Sequence, residues 1–422
     1  MKNEIGMMEP LPENITLAEH TNRLVVLEQA DLKHIAALKF QVSFAEVQGC
    51  NEAEEQVTCL VNPGSLVGHF QLPSHRIVVI EPKVDAASIF RMLAYVFTDN
   101  HRRLLRDEQV NYATDRLLFE PLVELFNALV NARARRGLAR DYIRREENLG
   151  VLRGALNIDA HVQHNFGREN QIYCRFFEQT VDIPDNRLVK TTLHHLLQFG
   201  GWTRSTTQAL VRNLHQFDAV SLERHRPQTA PNGHYHRLND DYRPIHELCR
   251  LFLACSSLSE RVGTFGFRGF LLDMNLLFEQ FVEKAFQTAV KQSRFSSMIQ
   301  DERPLSLNKG APNIKPDITV RRGTQVAIVV DAKYKKDEGG PQNPDIYQVI
   351  AYGTVLQCPD VYLLYPKTEI DSERDIPILN SEILVKTRRV DISSPQAVEN
   401  AEALAEAIVT ERQLLAPDLK MA

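Results

Sequence analysis

The sequence lacks several features that would assign it quickly to a class of protein. It has no apolar run near the roughly 20 residues that a membrane-spanning helix needs. Its first residues, MKNEIGMMEPLPENIT, lack the basic head and apolar stretch of a secretion signal. It also contains no G-x-x-x-x-G-K-S/T phosphate-binding loop. We therefore expect a cytoplasmic chain without a membrane segment, and any nucleotide-driven motion must come from another protein.

Cysteine pairs and excess basic charge are also missing. The six cysteines include no CxxC pair, and their spacing suggests neither a zinc ribbon nor a disulfide framework, so reduced thiols are expected. Lys and Arg number 49 against 54 Asp and Glu, which gives a net charge of −5. An autonomous nucleic-acid binder usually carries a basic patch and a high pI. Any DNA chemistry must therefore depend on local basic surface, bound cations or a partner that holds the DNA.

What the sequence does contain is a change of pattern along its length. At 422 residues it is long enough for two or three domains of roughly 100–200 residues each. Residues 1–85 carry short β-branched segments and predict a small β-rich domain. Residues 86–258 predict a mostly helical middle region, in which 138–160 look like a projecting β-hairpin. Residues 259–422 alternate helices and strands, so the fold class is predicted as α/β within a multi-domain α+β chain.

The most informative pattern is PDITVRRGTQVAIVVDAKYK, residues 316–335. It predicts two strands joined by a tight turn at Gly323–Thr324. Strand alternation puts Asp331 and Lys333 on the same side of the second strand. Pairing about a midpoint near 324 places Asp317 opposite Asp331. Two carboxylates and one amine are thus predicted to converge at the end of a buried strand, where lone charges are costly and need a reason.

Such a group of side chains suits a hard divalent cation. Mg²⁺ is usually held by one or two carboxylates and several waters. It can lower the pKa of a bound water and neutralise charge on a scissile phosphate. Lys333 could orient the attacking water. The alternative is a structural ion pair on a β-hairpin, because a D-x-K triplet alone can arise by chance.

Together with the helix IYQVIAYG, residues 346–353, this segment resembles the McrC subunits of McrBC-type, 5-methylcytosine-dependent restriction endonucleases. The resemblance extends upstream to LGVLRGALNI and DMNLLFEQFV and covers roughly residues 76–370. It implies a C-terminal core of the PD-(D/E)XK restriction-endonuclease type with Mg²⁺, or Mn²⁺, as the cofactor. Asp317 and Asp331 then match the family's metal ligands, and Lys333 matches its catalytic lysine.

The resemblance implies two further site residues. Glu279 lies in the first helix of the core, where related nucleases often supply another acid; the alternative is a solvated helix flank. Gln348 and Tyr352 match a YQ-x-x-x-Y helix that follows the motif. Gln348 could hold a phosphate or a water near the metal, or could simply pack the helix.

The resemblance also implies partners. McrC-like proteins act with an McrB-like AAA+ GTPase hexamer, which hydrolyses GTP and translocates DNA, while a domain of that partner recognises the modified base. The substrate would be double-stranded DNA with methylated cytosine. The segment 138–160 carries Arg140, Arg144, Arg145 and Arg153, and it could enter the pore of the ring or stimulate hydrolysis in trans. The alternative is a solvated charged hairpin.

These observations predict a DNA endonuclease, the nuclease subunit of a modification-dependent restriction system that defends against foreign DNA and stimulates its GTPase partner. Two alternatives stay open. One is a PD-(D/E)XK nuclease of DNA repair or recombination that acts without a GTPase. The other is a non-cleaving activator or scaffold of a ring NTPase.

Overall fold

The computed structural model describes residues 14–37, 40–44, 56–97, 119–168, 170–223, 235, 239–260, 268–291, 293–306, 310, 312–335, 341–368 and 373–415. Across these residues the chain forms ten α-helices and eighteen β-strands. The helices are α1 Gln29–Ala37, α2 Ala86–Phe97, α3 Glu120–Arg135, α4 Ile158–Asn165, α5 Pro184–Phe199, α6 Arg204–His215, α7 Arg243–Glu260, α8 Met274–Val290, α9 Asn343–Leu356 and α10 Ala397–Leu415. The strands are β1 Asn14–Ala18, β2 Arg23–Glu28, β3 Gln41–Phe44, β4 Gln56–Asn62, β5 Leu66–Gln71, β6 Ile77–Glu81, β7 Asp141–Leu149, β8 Ala155–Leu156, β9 Ile172–Thr180, β10 Arg268–Asp273, β11 Ser296–Ile299, β12 Arg303–Pro304, β13 Asn313–Ile314, β14 Ile318–Arg322, β15 Gln325–Ala332, β16 Asp360–Pro366, β17 Asp375–Pro377 and β18 Leu384–Val390. Within these described residues, none of the helices has the length and apolar character needed to cross a lipid bilayer.

The chain folds as two compact units. The first combines Met1–Tyr112 with Leu271–Ala422, and the second is Ala113–Phe270. This division differs from the predicted boundaries at 85 and 258. The reason is that one four-stranded sheet, of order β1-β6-β5-β10, joins strands from both ends of the chain, and that α2 packs against α8 and α10. The segments before and after the second unit therefore build one body.

A six-stranded mixed sheet forms the core of the first unit, with the order β11-β14-β15-β16-β18-β17. β14 and β15 are antiparallel, whereas β15, β16 and β18 run parallel. Strand β15 is buried from residue 326 to 332, as expected for a strand covered on both faces. On one face, Val349 of α9 belongs to the same apolar cluster as Val329. On the other face, Lys386 of β18 donates a hydrogen bond to Glu411 of α10.

The second unit is mainly helical. Helices α3, α5, α6 and α7 pack on one another around aromatic pairs such as Phe126 and Phe252, whose ring centroids lie 5.5 Å apart. A three-stranded sheet of order β7-β9-β8 belongs to the same unit, and α4 packs against β9.

The β-hairpin predicted over 138–160 is wrong in its pairing. Strand β7 pairs along its whole length with β9, which lies more than twenty residues further along the chain, and residues 158–165 are helical. Residues 158–165 form a helix and not the predicted strand for a local reason. Asn157 caps α4 by accepting a hydrogen bond from the backbone N–H of Ala160. The basic residues of this segment therefore lie on a three-stranded sheet with an attached helix.

Strand β10 continues to Asp273, which caps α8 by accepting a hydrogen bond from the backbone N–H of Asn275 at 3.0 Å.

A glycine in the second unit gives a stability prediction. Gly154 has φ of +70°, and a Cβ there would lie 2.5 Å from the carbonyl oxygen of Arg175 and 2.8 Å from Cβ of Phe176. Gly154→Ala is therefore expected to lower the free energy of unfolding by at least about 2 kcal/mol, since strained backbone and steric conflict add. Urea denaturation measures this.

Gly167→Ala is the matched control. Gly167 also has a positive φ, +78°, but a Cβ there meets no atom within 4 Å. We expect Gly167→Ala to lower the free energy of unfolding by about 1 kcal/mol, which is the effect of the backbone strain alone. Equal losses for the two variants would contradict the close approach of β9 to Gly154.

Candidate active site

Strands β14 and β15 place the two predicted aspartates opposite each other. The turn pairs Arg322 with Gln325, and a β-bulge between Val320 and Arg321 then shifts the register by one residue. Beyond the bulge Ile318 pairs with Val330, so the preceding Asp317 faces Asp331. Without the bulge Asp317 would face an apolar position, because a one-residue slip reverses the side of every side chain. Bulges of this kind are common beside active sites.

The two aspartates differ in their hydrogen bonds. Oδ2 of Asp317 accepts a hydrogen bond from the backbone N–H of Ala332 at 2.8 Å. Asp331 is 1% exposed, and neither of its carboxylate oxygens has a hydrogen-bond partner among the described residues. Nζ of Lys333 lies 2.8 Å from Oδ2 of Asp331, so the two side chains form an ion pair. This ammonium is the cation that offsets the buried carboxylate, whose oxygens keep room for a further ligand.

Burial and mutual repulsion shift the acid–base behaviour of the pair. Burial raises the pKa of Asp331 well above its ordinary value, and the charge of Asp317 raises it further. Burial also raises the pKa of Asp317, while the hydrogen bond from Ala332 opposes the rise. For Lys333, burial lowers the pKa, but the attraction of Asp331 and Asp317 outweighs it and the net shift is upward. The ammonium therefore stays charged beside carboxyls that resist being charged together.

Helix α8 brings a third predicted residue and one that the sequence analysis missed. Glu279 is half-buried, and its pKa is raised by burial, lowered by Lys333 and raised by Asp331. Glu283, one helical turn later, is 9% exposed. Burial raises its pKa to about 7, with contributions from Asp317 and Glu279. An acid four residues after Glu279, on the apolar side of an amphipathic helix, was the signal in the sequence that could have identified Glu283.

Glu283 gives a pH-dependent prediction. Its folded-state pKa of about 7 lies above the ordinary value of 4.5, so between these values the folded chain binds more protons than the unfolded chain. The free energy of unfolding then falls as the pH rises through this window. Glu283→Gln is expected to reduce that fall and to make the metal-free chain more stable than the parent above pH 7.

Thermal melts from pH 4.5 to 8 test this expectation. Glu406→Gln, at an exposed position of α10, is the matched control and should leave the pH dependence unchanged. If Glu283→Gln shifts the melting temperature by the same amount at every pH, the pH dependence of stability does not come from the ionisation of buried Glu283.

Helix α9 contributes Gln348 to the edge of the site. Its amide Nε2 donates a hydrogen bond to the hydroxyl of Tyr352 at 2.6 Å. That hydroxyl also donates to the backbone carbonyl of Lys315 at 3.3 Å. Burial raises the pKa of Tyr352, the charge of Asp331 raises it further, and the charge of Lys333 lowers it. The Gln348 amide nitrogen is thus engaged within the protein, and Tyr352 ties α9 to the residues before β14.

The four predicted arginines lie in the second unit, and three of them are paired with acids. Arg144 contacts Glu146 at 2.6 Å. Arg145 contacts Glu178 at 2.8 Å. The guanidinium of Arg153 lies 3.4 Å from the same Glu178 and 4.1 Å from the ring centroid of Phe176. The fourth, Arg140, is exposed. The structure therefore does not gather these residues into one uncompensated basic surface.

The same segment exposes large apolar side chains instead. On α4 and its C-cap, Ile158, Val162 and Phe166 follow one another at four-residue spacing, and Phe166 is 90% exposed. We call these three residues the α4 apolar face. Val151 and Leu152, before β8, are also exposed. Exposed apolar groups that lie together on a folded chain commonly mark an interaction site.

A family model described as McrBC 5-methylcytosine restriction system component matches residues 61–366. No curated protein matches the chain.

Two solved structures are similar to the chain. A chain of the refined half-complex from the tetradecameric assembly of Thermococcus gammatolerans McrB AAA+ hexamers with bound McrC is 20% identical, covering 94% of this chain and 100% of that one, with a TM-score of 0.59. A chain of the cryo-EM structure of the Thermococcus gammatolerans McrBC complex is 20% identical over 66% of this chain and 88% of that one, with a TM-score of 0.42.

Proposed function

The chain belongs to the family of McrBC 5-methylcytosine restriction system components and is of the McrC type, and we propose that it is the nuclease subunit of such a system. The proposed reaction is the hydrolysis of DNA phosphodiester bonds. One observation carries the proposal: Asp317, Asp331 and Lys333 meet at the end of a buried strand, and both oxygens of Asp331 lack a hydrogen bond among the described residues. Because the pattern is that of a PD and a D-x-K pair on adjacent strands, we assign the six-stranded core to the PD-(D/E)XK superfamily.

Asp317 and Asp331 would hold the metal, and the donor set fits Mg²⁺, or Mn²⁺. The carboxylates offer hard oxygen donors, and those of Asp331 are buried without hydrogen bonds. Over the part of the chain that the structure describes, no three His, Cys, Asp or Glu side chains are grouped as a metal site. Two carboxylates with waters are the usual requirement of Mg²⁺, whereas zinc takes three or four protein ligands. When bound, the ion would activate a water and neutralise charge on the scissile phosphate.

The other side chains would position the reacting groups. Lys333, a charged amine at the mouth of the site, would orient the attacking water and offset the charge that develops on the phosphate. Glu279 would accept a proton or a water at the α8 side. Gln348 would act as a positioning residue through Tyr352, because its amide nitrogen is engaged there.

The proposed partner is an McrB-like AAA+ GTPase hexamer. The solved structure with the similar fold is described as McrB AAA+ hexamers with bound McrC, and this chain carries no phosphate-binding loop of its own. GTP would enter only through that partner, and the DNA would be double-stranded and carry methylated cytosine. The α4 apolar face would make the main contact with the ring, and Arg140 would be the arginine left to act on the partner.

A reconstitution experiment tests the proposed function. The purified chain is mixed with the AAA+ GTPase encoded beside it, methylated DNA, GTP and Mg²⁺, and double-strand breaks are scored on a gel. We expect breaks only when all components are present. Cleavage that needs no GTPase would favour the repair-nuclease alternative, and a stimulated GTPase without any cleavage would favour the scaffold alternative.

A further inference from the structure

Helices α3 and α6 of the second unit enclose a groove that the proposed nuclease function does not use. Oε1 of Glu120 accepts a hydrogen bond from the backbone N–H of Thr203 at 2.9 Å. Further along both helices, Nδ2 of Asn213 donates to Oδ1 of Asn127 at 2.8 Å. The residue numbers of the contacting pairs increase together along α3 and α6, so the two helices run in the same general direction. The cavity between them has a volume of about 480 Å³, within the range of small-molecule sites.

The groove is polar and is kept open by small residues. Nine of its eleven lining residues are polar or charged, and the other two are Ala128 and Ala209, one on each helix. Larger side chains at these alanines would fill the space. A polar lining of this kind does not suit an apolar helix or a lipid tail, which would leave the amides without partners.

One amide at the floor of the groove lacks a partner. Asn127 is 5% exposed and lines the cavity. Its Oδ1 accepts from Asn213, but its Nδ2 has no hydrogen bond with any described residue. The orientation of the amide is fixed by Asn213, whose Nδ2 also donates to the backbone carbonyl of Asn127 at 3.1 Å. A buried donor without an acceptor is unfavourable, so a ligand in the groove with an acceptor that reaches Nδ2 would be favoured.

Two arginines line the groove at one end. Arg135 lies in the last turn of α3 and Arg212 in the last turn of α6, and both line the cavity. Each is exposed, and neither forms an ion pair with an acid among the described residues. At the other end Glu124 supplies a carboxylate, which accepts a hydrogen bond from Thr206. The groove is therefore cationic at one end and acidic at the other, with the Asn127 donor between.

We propose that this groove binds a nucleoside phosphate. The phosphate would lie between Arg135 and Arg212, which suit planar, bidentate recognition of phosphate oxygens. An acceptor on the sugar or base would take the free N–H of Asn127. The amino group of the base would face Glu124. A ligand with an anionic end, a central acceptor and a distal donor matches the order of the lining groups.

Titration calorimetry on the full chain tests the proposal, with the four common nucleoside monophosphates, inorganic phosphate and a short duplex DNA as ligands. We expect at least one nucleoside monophosphate to bind with one site per chain and more tightly than inorganic phosphate. Arg212→Glu is expected to weaken that binding at least about 10-fold, or about 1.4 kcal/mol. Arg204→Glu, an equal change of charge at an exposed position of α6 outside the lining, should change it less than about 2-fold.

A second variant tests the floor of the groove. Asn127→Asp keeps the acceptor for Asn213 and replaces the free donor with an acceptor, so nucleotide binding should weaken while a melting curve reports whether the helix pair still folds. The proposal is overturned if no nucleoside monophosphate binds at millimolar concentration, or if only duplex DNA binds. It is also overturned if Arg204→Glu and Arg212→Glu weaken binding equally, or if inorganic phosphate binds as tightly as the nucleotides. DNA cleavage does not enter the test, so its result is independent of the nuclease assignment.

Discussion

Asp331→Asn is expected to lower the rate of DNA cleavage by more than about 100-fold, since loss of a residue that only orients a metal ligand already costs about 10–100-fold. The amide removes the negative charge that the proposed cation requires and disrupts the ion pair with Lys333. Folding should suffer little, because the amide removes the repulsion between Asp331 and Asp317 and Lys333 keeps the attraction of Asp317. The measurement is single-turnover cleavage of methylated DNA with saturating partner and GTP.

Asp375→Asn is the matched control for that experiment. Asp375 lies on β17 of the same sheet, exposed and paired with Arg388 at the surface, and its substitution should leave cleavage unchanged. Partner binding and stimulated GTP hydrolysis should be retained by both variants. Normal cleavage by Asp331→Asn would remove the nuclease assignment, and a loss of partner binding would show that the substitution acts through the fold.

Phe166→Asp is expected to weaken binding to the GTPase ring at least about 30-fold, or about 2 kcal/mol, the size of an interface hot spot. The residue is 90% exposed in the isolated chain, so the substitution leaves the fold intact and acts on the contact alone. Because the contact is apolar, binding should change little with salt concentration. Analytical ultracentrifugation or surface plasmon resonance at two ionic strengths provides the measurement.

Leu379→Asp is the control for this second prediction. Leu379 is also 90% exposed, but it lies in the first compact unit, between β17 and β18. Its substitution should not change the affinity for the ring. A larger loss for Arg145→Ala than for Phe166→Asp, together with a steep salt dependence, would show that the arginines and not the α4 apolar face make the contact.

The local part of the site could be predicted from the sequence because it depends on short-range rules. A tight turn at Gly323–Thr324 and two alternating strands bring Asp317 to within one residue of Asp331, and the assumed midpoint near 324 gave the observed register. The bulge at Val320 and Arg321 has no separate signal in the sequence. It is nevertheless what keeps Asp317 on the Asp331 side.

The long-range part could not be predicted in the same way. The pairing of β7 with β9 joins segments whose alternation is equally compatible with other partners, so the nearest extended segment was chosen wrongly. The joining of residues before 98 and after 270 into one unit depends on sheet pairing and helix packing across the whole chain. Arg145 and Arg153 proved to be paired with Glu178, which faces them only once β9 is in place. Arg144 pairs with Glu146, two residues along its own strand. Glu283 was missed because the spacing after Glu279 indicates its side of the helix but not the burial that raises its pKa.

The most direct test is a crystal structure of the chain soaked with Mn²⁺, located by its anomalous scattering. One ion is predicted between Asp317 and Asp331, at a bonding distance of about 2.1–2.2 Å to an oxygen of each, and absent in Asp331→Asn. An ion bound elsewhere, or carboxylates that turn away from each other when Mn²⁺ is present, would contradict the account.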